Sequence, residues 1–442
     1  MAKEAPTRRT RQLDSHPETN GSLDPGKIAL RRAAFSPVVR GIVEQLEPSA
    51  GSIAEAVTLP PQCYTDHDFY EFEKEVLFSH EWLCLGRVEQ VPTVGDYYSI
   101  TIVDEPLIVV RSASDEIRVM SGVCRHRCMV VTAPGEAPPS EWGKQPPETS
   151  GNLKFFQCPY HFWTYDLTGR LTAAPEMSRT PGFEKDAIRL PGLKVEIWNG
   201  FIFANFDPDA APLAPRLRRF SDWIANWHLE NMEPGEIKSQ NGLNWNWKVM
   251  HENSIECYHC DRLHRGLHEV VPGGALIHTD HHDEEAVVVS RAKATHKDYA
   301  LNPTYKALLP VIDTLTDFER NNSIFGLIPP TLLLGMNTDS ALFRIVLPTG
   351  PGTFDVRFGN LFPSGKYIGR RFDEIKKMAT GGLLVMTSQD FPADAAVQKG
   401  LRSRYAARGR YSWQEEPLAS FNRWLVRRYR EGFERAKQAA AV

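Results

Sequence analysis

The sequence predicts an α+β protein: a small all-β unit followed by a larger antiparallel sheet bracketed by helices. Over residues 82–191, short β-branched and aromatic runs (YYSITIV, PLIVV, LKFFQC) are separated by turn residues such as Val94-Gly95-Asp96 and Leu167-Thr168-Gly169. Strand-like runs then recur as EAVVVS, SIFGLI, TLLLGMN, ALFRIVLP and TFDVRFGNLF, which gives a sheet of at least five strands. Helical patterns stand before that sheet, at 215–232, and after it, at 368–378, 390–404 and 418–437.

In chain order, residues 1–55 mix Arg, Ser, Pro and Gly with little periodicity beyond an apolar run at 38–46, and read as a flexible arm. A helix is expected over 66–80, where Phe69, Phe72, Val76 and Leu77 recur at helical spacing. It leads the β unit, assigned to 56–193. The strand-like KVEIWNGFIFANF opens the second domain, 194–442. Residues 133–150 are Pro-rich and polar, as in an inserted surface loop.

A net charge of −4 with pI near 6.4 gives no basic footprint for nucleic acid. No run approaches 18 apolar residues, so no membrane span is expected. Arg8, Arg9 and Arg11 lack an apolar stretch behind them, unlike a secretory signal. Seven cysteines in so long a chain are too few and too uneven for a disulfide frame, which points to a reducing, cytoplasmic compartment.

The densest chemistry lies at 244–264, NWNWKVMHENSIECYHCDRLH, which carries Glu252, Glu256, His259 and His264. Histidines spaced H-x4-H fall about 140° apart on an ideal helix. To share one ion, the helix must break between them, near 260–263. Glu256 and His259, at i,i+3, can touch. Two imidazoles and a carboxylate leave open positions suited to ferrous oxygen chemistry. A second signature stands in the β unit: Cys124-x-His126 and, after a gap of 31 residues, Cys158-x-x-His161. Two such loops face to face can grip a [2Fe–2S] cluster, two Cys on one iron and two His on the other. A Cys2His2 zinc site is the alternative, although C-x-H is an unusual opening for one.

CRHR and CPYHFWTYDLTGRL, with HEWLCLGRVEQVPTVGDY and DEPLIVVR upstream and NWKVMHENSIECYHCDRLH downstream, resemble the catalytic (alpha) subunits of Rieske-type non-heme iron ring-hydroxylating oxygenases. The resemblance covers residues 60–270 and, more weakly, the C-terminal region. It implies an N-terminal Rieske domain with Cys124, His126, Cys158 and His161 on the cluster. It also implies a C-terminal helix-grip domain with His259 and His264 on a mononuclear Fe(II). The third ligand in that family comes from a C-terminal helix, and SQDFPADAAVQKGLRS matches it. Asp390 stands eight residues before Gln398, with Asp394 as the alternate. Several positions depart from the family pattern. The gap between the cluster loops is long, and Cys128 and Phe162 stand where glycines are common. Tyr160 occupies the place of a loop-tying cysteine, so Cys128 is expected to lack a partner. Cys-Asp-Arg-Leu-His replaces a Cys-Pro run after His259. Cys257 and Cys260 are expected as core cysteines rather than a zinc or redox pair, and His278, His281 and His282 as a solvated turn. Trp245 and Trp247 are expected to serve packing.

With no G-x-G-x-x-G before a helix and no ferredoxin-type cysteine run, the chain must borrow electrons from a separate reductase, directly or through a ferredoxin. The resemblance implies that O2 and two electrons hydroxylate, dihydroxylate or oxidatively dealkylate a small organic substrate. Apolar strands such as SIFGLIPPTLLLGM favour an aromatic or N-alkyl compound. N-demethylation of a quaternary ammonium compound and a non-enzymatic electron carrier are the competing readings. The family arrangement is a ring of three subunits, with or without a beta subunit (α3 or α3β3), that sets one chain's cluster beside its neighbour's iron. Glu256, with two acceptor oxygens, suits a bridge from His161 of one subunit to His259 of the next.

Overall fold

The computed structural model describes residues 36–132, 149–278, 287–302, 304–366 and 368–440. Nearly all of the 133–150 insertion lies outside these, as do residues 1–35, His281 and His282.

The chain enters through α1 (Pro37–Glu44) and α2 (His67–Glu73). Val39, Ile42 and Leu46, at i, i+3 and i+7, are buried in the main core. Part of the stretch read as a flexible arm is therefore a packed helix. Asp66 caps α2 by accepting from the Phe69 N–H at 3.0 Å.

The β unit follows: β1 (Leu83–Arg87), β2 (Asp96–Ile102), β3 (Glu105–Ala113), β4 (Glu116–Ser121), β5 (Ser150–Asn152), β6 (Phe156–Gln157), β7 (Thr164–Tyr165), β8 (Leu171–Ala173), β9 (Lys194–Trp198) and β10 (Phe201–Asn205). They form three small antiparallel sheets, ordered β4-β3-β2-β5, β6-β7-β8 and β1-β10-β9. The two-residue turn Asn199-Gly200, with φ of 48° and 80°, folds β9 against β10. Because β10 then pairs with β1, residues 194–205, assigned to the start of the second domain, share a sheet with the first strand of the β unit.

Past α3 (Leu213–Trp223), eight strands make one antiparallel sheet: β11 (Met232–Pro234), β12 (Lys238–Leu243), β13 (Leu276–His278), β14 (Val288–Lys293), β15 (Asn322–Ile328), β16 (Leu332–Met336), β17 (Ala341–Gly350) and β18 (Thr353–Pro363). Its order is β11-β18-β17-β16-β15-β14-β13, with β12 also paired to β18. Helices α4 (Trp247–Ile255), α5 (Cys260–Leu263), α6 (Arg265–Val270), α7 (Arg370–Leu401) and α8 (Glu416–Ala440) complete this α+β domain.

The separate helices expected at 368–378 and 390–404 are one 32-residue helix, α7, which runs through Pro392. Proline removes one backbone donor and crowds the preceding turn. The helix persists because a stripe at three- and four-residue spacing, Ala379, Leu383, Thr387, Asp390, Asp394 and Gln398, is buried along its length. Helix α4 is fixed at the centre. Its Lys248 Nζ lies 2.7 Å from Glu73 Oε1, with side chains 0% and 1% exposed, and the Tyr429 hydroxyl of α8 donates to the same oxygen. No helix among the described residues is long and apolar enough to cross a membrane.

Candidate metal centres and active site

Two turns of matching geometry build the first centre. The Cys124 N–H donates to Met129 O at 2.8 Å, and the Cys128 N–H donates back to Cys124 O at 3.0 Å. Likewise the Cys158 N–H donates to Trp163 O at 2.8 Å, and the Phe162 N–H to Cys158 O at 3.0 Å. Cys128 and Phe162 are left-handed, with φ of 57° and 60°. These are the positions where the family favours glycine, which adopts such a backbone without a Cβ clash. Cys128 is exposed and free, as expected.

The thiols of Cys124 and Cys158 are buried, whereas His126 is exposed and His161 half-buried. The imidazoles meet edge to face at 4.6 Å between centroids, and Trp163 stacks on His126 at 4.9 Å. The Tyr165 hydroxyl accepts from the Arg125 N–H at 3.0 Å and lies 3.2 Å from Cys124 Sγ. The Cys124 thiol is drawn down to about 5, first by the hydrogen bond from Cys158 and then, against burial, by Tyr165; Cys158 is pushed up in return. The direction favours the thiolate at Cys124, the ligand form of cysteine.

At the second centre the chain breaks twice. Helix α4 stops at Ile255, Glu256 is extended (φ −121°, ψ 167°), and His264 (φ −117°, ψ 62°) separates α5 from α6. Residues 260–263, where a break was expected, are helical, and the breaks flank them. Glu256 explains this. Its carboxylate accepts from the Tyr258 N–H and, at 3.4 Å, from the His259 N–H, the free donors at the start of α5. Its other oxygen contacts His259 Nδ1. His264 Nδ1 lies 2.7 Å from Gln389 Oε1.

Both imidazoles thus have an acceptor at Nδ1, which places the lone pair on Nε2. The two Nε2 atoms lie 3.6 Å (His259) and 2.8 Å (His264) from Asp390 Oδ1. That oxygen is buried and has no aligned hydrogen-bond donor. Two imidazoles converging on one carboxylate form a donor set that a cation fits. Although burial opposes protonation of His264, the Asp390 carboxylate and Gln389 raise its pKa above the ordinary histidine value.

Among the described residues, His259, His264 and Asp390 are the one set of three or more potential ligands with all donor atoms within 4.8 Å. Asp394, one turn on, is buried outside that set, and burial together with Asp390 raises its carboxyl to about 8. In the cradle the thiols of Cys124 and Cys158 are buried and His126 is exposed, an arrangement that fits a two-iron cluster with thiolates inside and imidazoles outside. Cys257 and Cys260, expected as separate core cysteines, are joined in a disulfide. Trp245 and Trp247 are buried and pack as expected.

A cavity of about 100 Å³ adjoins Asp390 and the two histidines. Phe325, Leu333, Leu342 and Arg344 contribute from the sheet, and Leu267 and Met386 from the helices. Leu333 of β16 is the register partner of Arg344 on β17, and Leu342 lies two residues away, so the three share one face. Arg344 and Gln389 were not anticipated. An arginine amid the alternating apolar residues of ALFRIVLP was the available signal for the former. Gln389, adjacent to Asp390, carried none.

A cluster-binding β domain joined to a sheet-and-helix domain with a two-histidine, one-carboxylate site defines a two-centre iron oxygenase architecture. Comparison with known proteins agrees. The Rieske [2Fe-2S] domain model matches residues 81–184, and the ring hydroxylating alpha subunit (catalytic domain) model matches 216–431. The chain belongs to the Rieske-type ring-hydroxylating oxygenase alpha subunits, a family that uses a [2Fe–2S] cluster, mononuclear iron and O2.

The chain is 27% identical over 368 residues to the carnitine monooxygenase oxygenase subunit of Escherichia coli (strain K12), covering 80% of this chain and 87% of that one. With the Acinetobacter baumannii subunit of the same name it is 28% identical, over 56% of this chain and 63% of the relative, under two thirds of its length. The biphenyl 2,3-dioxygenase subunit alpha of Rhodococcus jostii (strain RHA1) is 34% identical over 47% of this chain and 42% of that one. A solved quaternary ammonium Rieske monooxygenase superposes with TM-score 0.71 at 21% identity, covering 86% of this chain and 98% of that structure.

Proposed function

We propose that the protein is a terminal oxygenase that takes electrons from a separate reductase, directly or through a ferredoxin, and oxidises an aromatic or N-alkyl small molecule with O2. The convergence of His259, His264 and Asp390 beside a largely apolar cavity carries this reading. When bound, the cluster supplies single electrons and the ferrous ion supplies O2 activation.

The chain's own residues prepare for both. Cys124 and Cys158 would hold one iron of the cluster and His126 and His161 the other. Glu256 and Gln389 orient His259 and His264 so that Nε2 of each faces Asp390. The apolar wall excludes water from the reacting carbon. Oxidation of a quaternary ammonium compound is the second reading, favoured by the carnitine and glycine betaine monooxygenases among the relatives.

Electron transfer between subunits is described for a solved quaternary ammonium relative. For this chain we assign a trimer, alone or with a beta subunit, in which His161 of one subunit donates to Glu256 of the next. Glu256 already engages His259 in its own subunit, and a carboxylate retains lone pairs for a second donor.

Iron- and sulfide-loaded protein with NADH is expected to be inactive until a reductase is added, and then to form oxygenated product from a substrate panel. Turnover with NADH alone contradicts the reading. Glu256→Gln and Glu256→Ala are expected to keep both iron signals while losing roughly 10–100-fold in turnover. Fast single-turnover reoxidation of the cluster in Glu256→Ala would remove the bridge.

A further inference from the structure

Arg344 is the cation of the substrate cavity, and the described protein offers it no counter-ion in contact. Its side chain projects from the middle of β17 onto the cavity face, and the residue is only 7% exposed. Its Nη1 donates to Ser254 Oγ at 2.6 Å and its Nη2 to Thr387 Oγ1 at 3.3 Å. Both partners are neutral hydroxyls that also line the cavity. Among the described residues no carboxylate oxygen lies within 4.0 Å of it. Asp390 and Asp394 act on it only at longer range.

Burying a guanidinium is costly unless an anion meets it, and its planar fork is suited to a carboxylate. Away from Glu256, Asp390 and the histidines the lining is largely apolar, with Phe325, Leu333, Leu342 and Met386 among the neutral hydroxyls of Ser290 and Ser323. A quaternary ammonium group would need an aromatic cage. Here Tyr299 and Phe325 are the aromatic residues of the lining, and the guanidinium repels a cation.

We infer that the substrate is an organic acid with an apolar body, whose carboxylate docks on Arg344 while its hydrocarbon part lies toward His259, His264 and Asp390. Arg344 is thus a specificity residue. The inference rests on the oxygenase reading of this cavity and narrows its substrate class.

The test is a binding panel by calorimetry on cluster- and Fe(II)-loaded protein under nitrogen, where no turnover occurs. The probes are aromatic acids from benzoate to 4-phenylbutanoate, each paired with its amide and with the matching trimethylammonium compound. At least one acid is expected to bind about tenfold or more tightly than its amide, as a charge-assisted hydrogen bond provides, with the ammonium partner weaker still.

Arg344→Met is expected to erase the acid's advantage over its amide, and Arg344→Lys to retain part of it. If no acid outbinds its amide in the unmodified protein, the inference falls whether or not the variants fold. It falls equally if Arg344→Met weakens acid and amide alike. Failure of the oxygenase reading looks different: no oxygenated product when a reductase is supplied, even with an acid bound.

Discussion

In the cluster cradle each turn closes on itself: the backbone groups of Cys124 and Cys158 are bonded within five residues, and the ligands come from four-residue motifs. The mononuclear centre is assembled the other way. Its histidines sit on broken helix around α5, and Asp390 arrives from α7 through packing against the same sheet. A locally closed site tolerates change elsewhere in the molecule. A site built from separate elements depends on how each is seated.

The largest effect tests whether the two centres are separable. Asp390→Ala is expected to leave the cluster's visible and EPR spectra intact while iron at the second centre and substrate oxidation drop below detection. Cys124→Ser or His161→Ala is expected to abolish the cluster spectrum yet leave ferrous binding at the second centre. Loss of both signals in either variant would mean that the centres are not independent, and loss in Asp394→Ala but not Asp390→Ala would reassign the ligand.

An intermediate effect probes the seat of α4. His251 is completely buried, with Nε2 2.8 Å from Pro330 O, and burial, aided by Arg344, depresses its pKa to about 3. The unfolded chain binds a proton below about pH 6.5 that the native state refuses, so this residue's contribution is complete above 6.5 and is lost as pH falls toward 3. The limiting slope is about 1.4 kcal/mol per pH unit. Denaturant midpoints measured from pH 8 to 5 should fall less steeply in His251→Gln, and an unchanged slope would show that acid acts elsewhere.

The smallest effect belongs to the cradle. Phe162 is 58% exposed and left-handed. Phe162→Gly relieves about 1–2 kcal/mol of backbone strain at an entropic cost of about 0.5–1 kcal/mol. A net gain of at most about 1.5 kcal/mol is expected, read as a rise in Tm with an unaltered cluster spectrum. A fall in Tm would mean that the ring is held at the tip by packing.

The same contrast governs what was legible in the sequence. CRHR and CPYHFW hold the proposed cluster ligands in contiguous code, and the alternating runs mark the sheets, because both signals are local. Asp390 was proposed through its spacing to Gln398, which required a family pattern. The unbroken α7 was missed because Pro392 is a local stop signal that burial of a long stripe overrides. The breaks around α5 were misplaced by an ideal-helix argument, since the Glu256 carboxylate replaces helix hydrogen bonds there. Arg344 acquires meaning only when β16, β17 and the helices enclose one cavity.

The Lys248–Glu73–Tyr429 contact carries a lesson about how this molecule can be divided. The catalytic family match begins at 216, yet the ammonium at the heart of that region is neutralised by a carboxylate from residue 73, on the far side of the cluster domain in sequence. A fragment cut at the family boundary would leave Lys248 as a solitary charge in the interior, a defect worth about 3–5 kcal/mol when one partner of a buried pair is removed. The segment before the cluster domain is packed into the core around Lys248 through this contact, so the halves would have to be exchanged between relatives with that segment attached to the second.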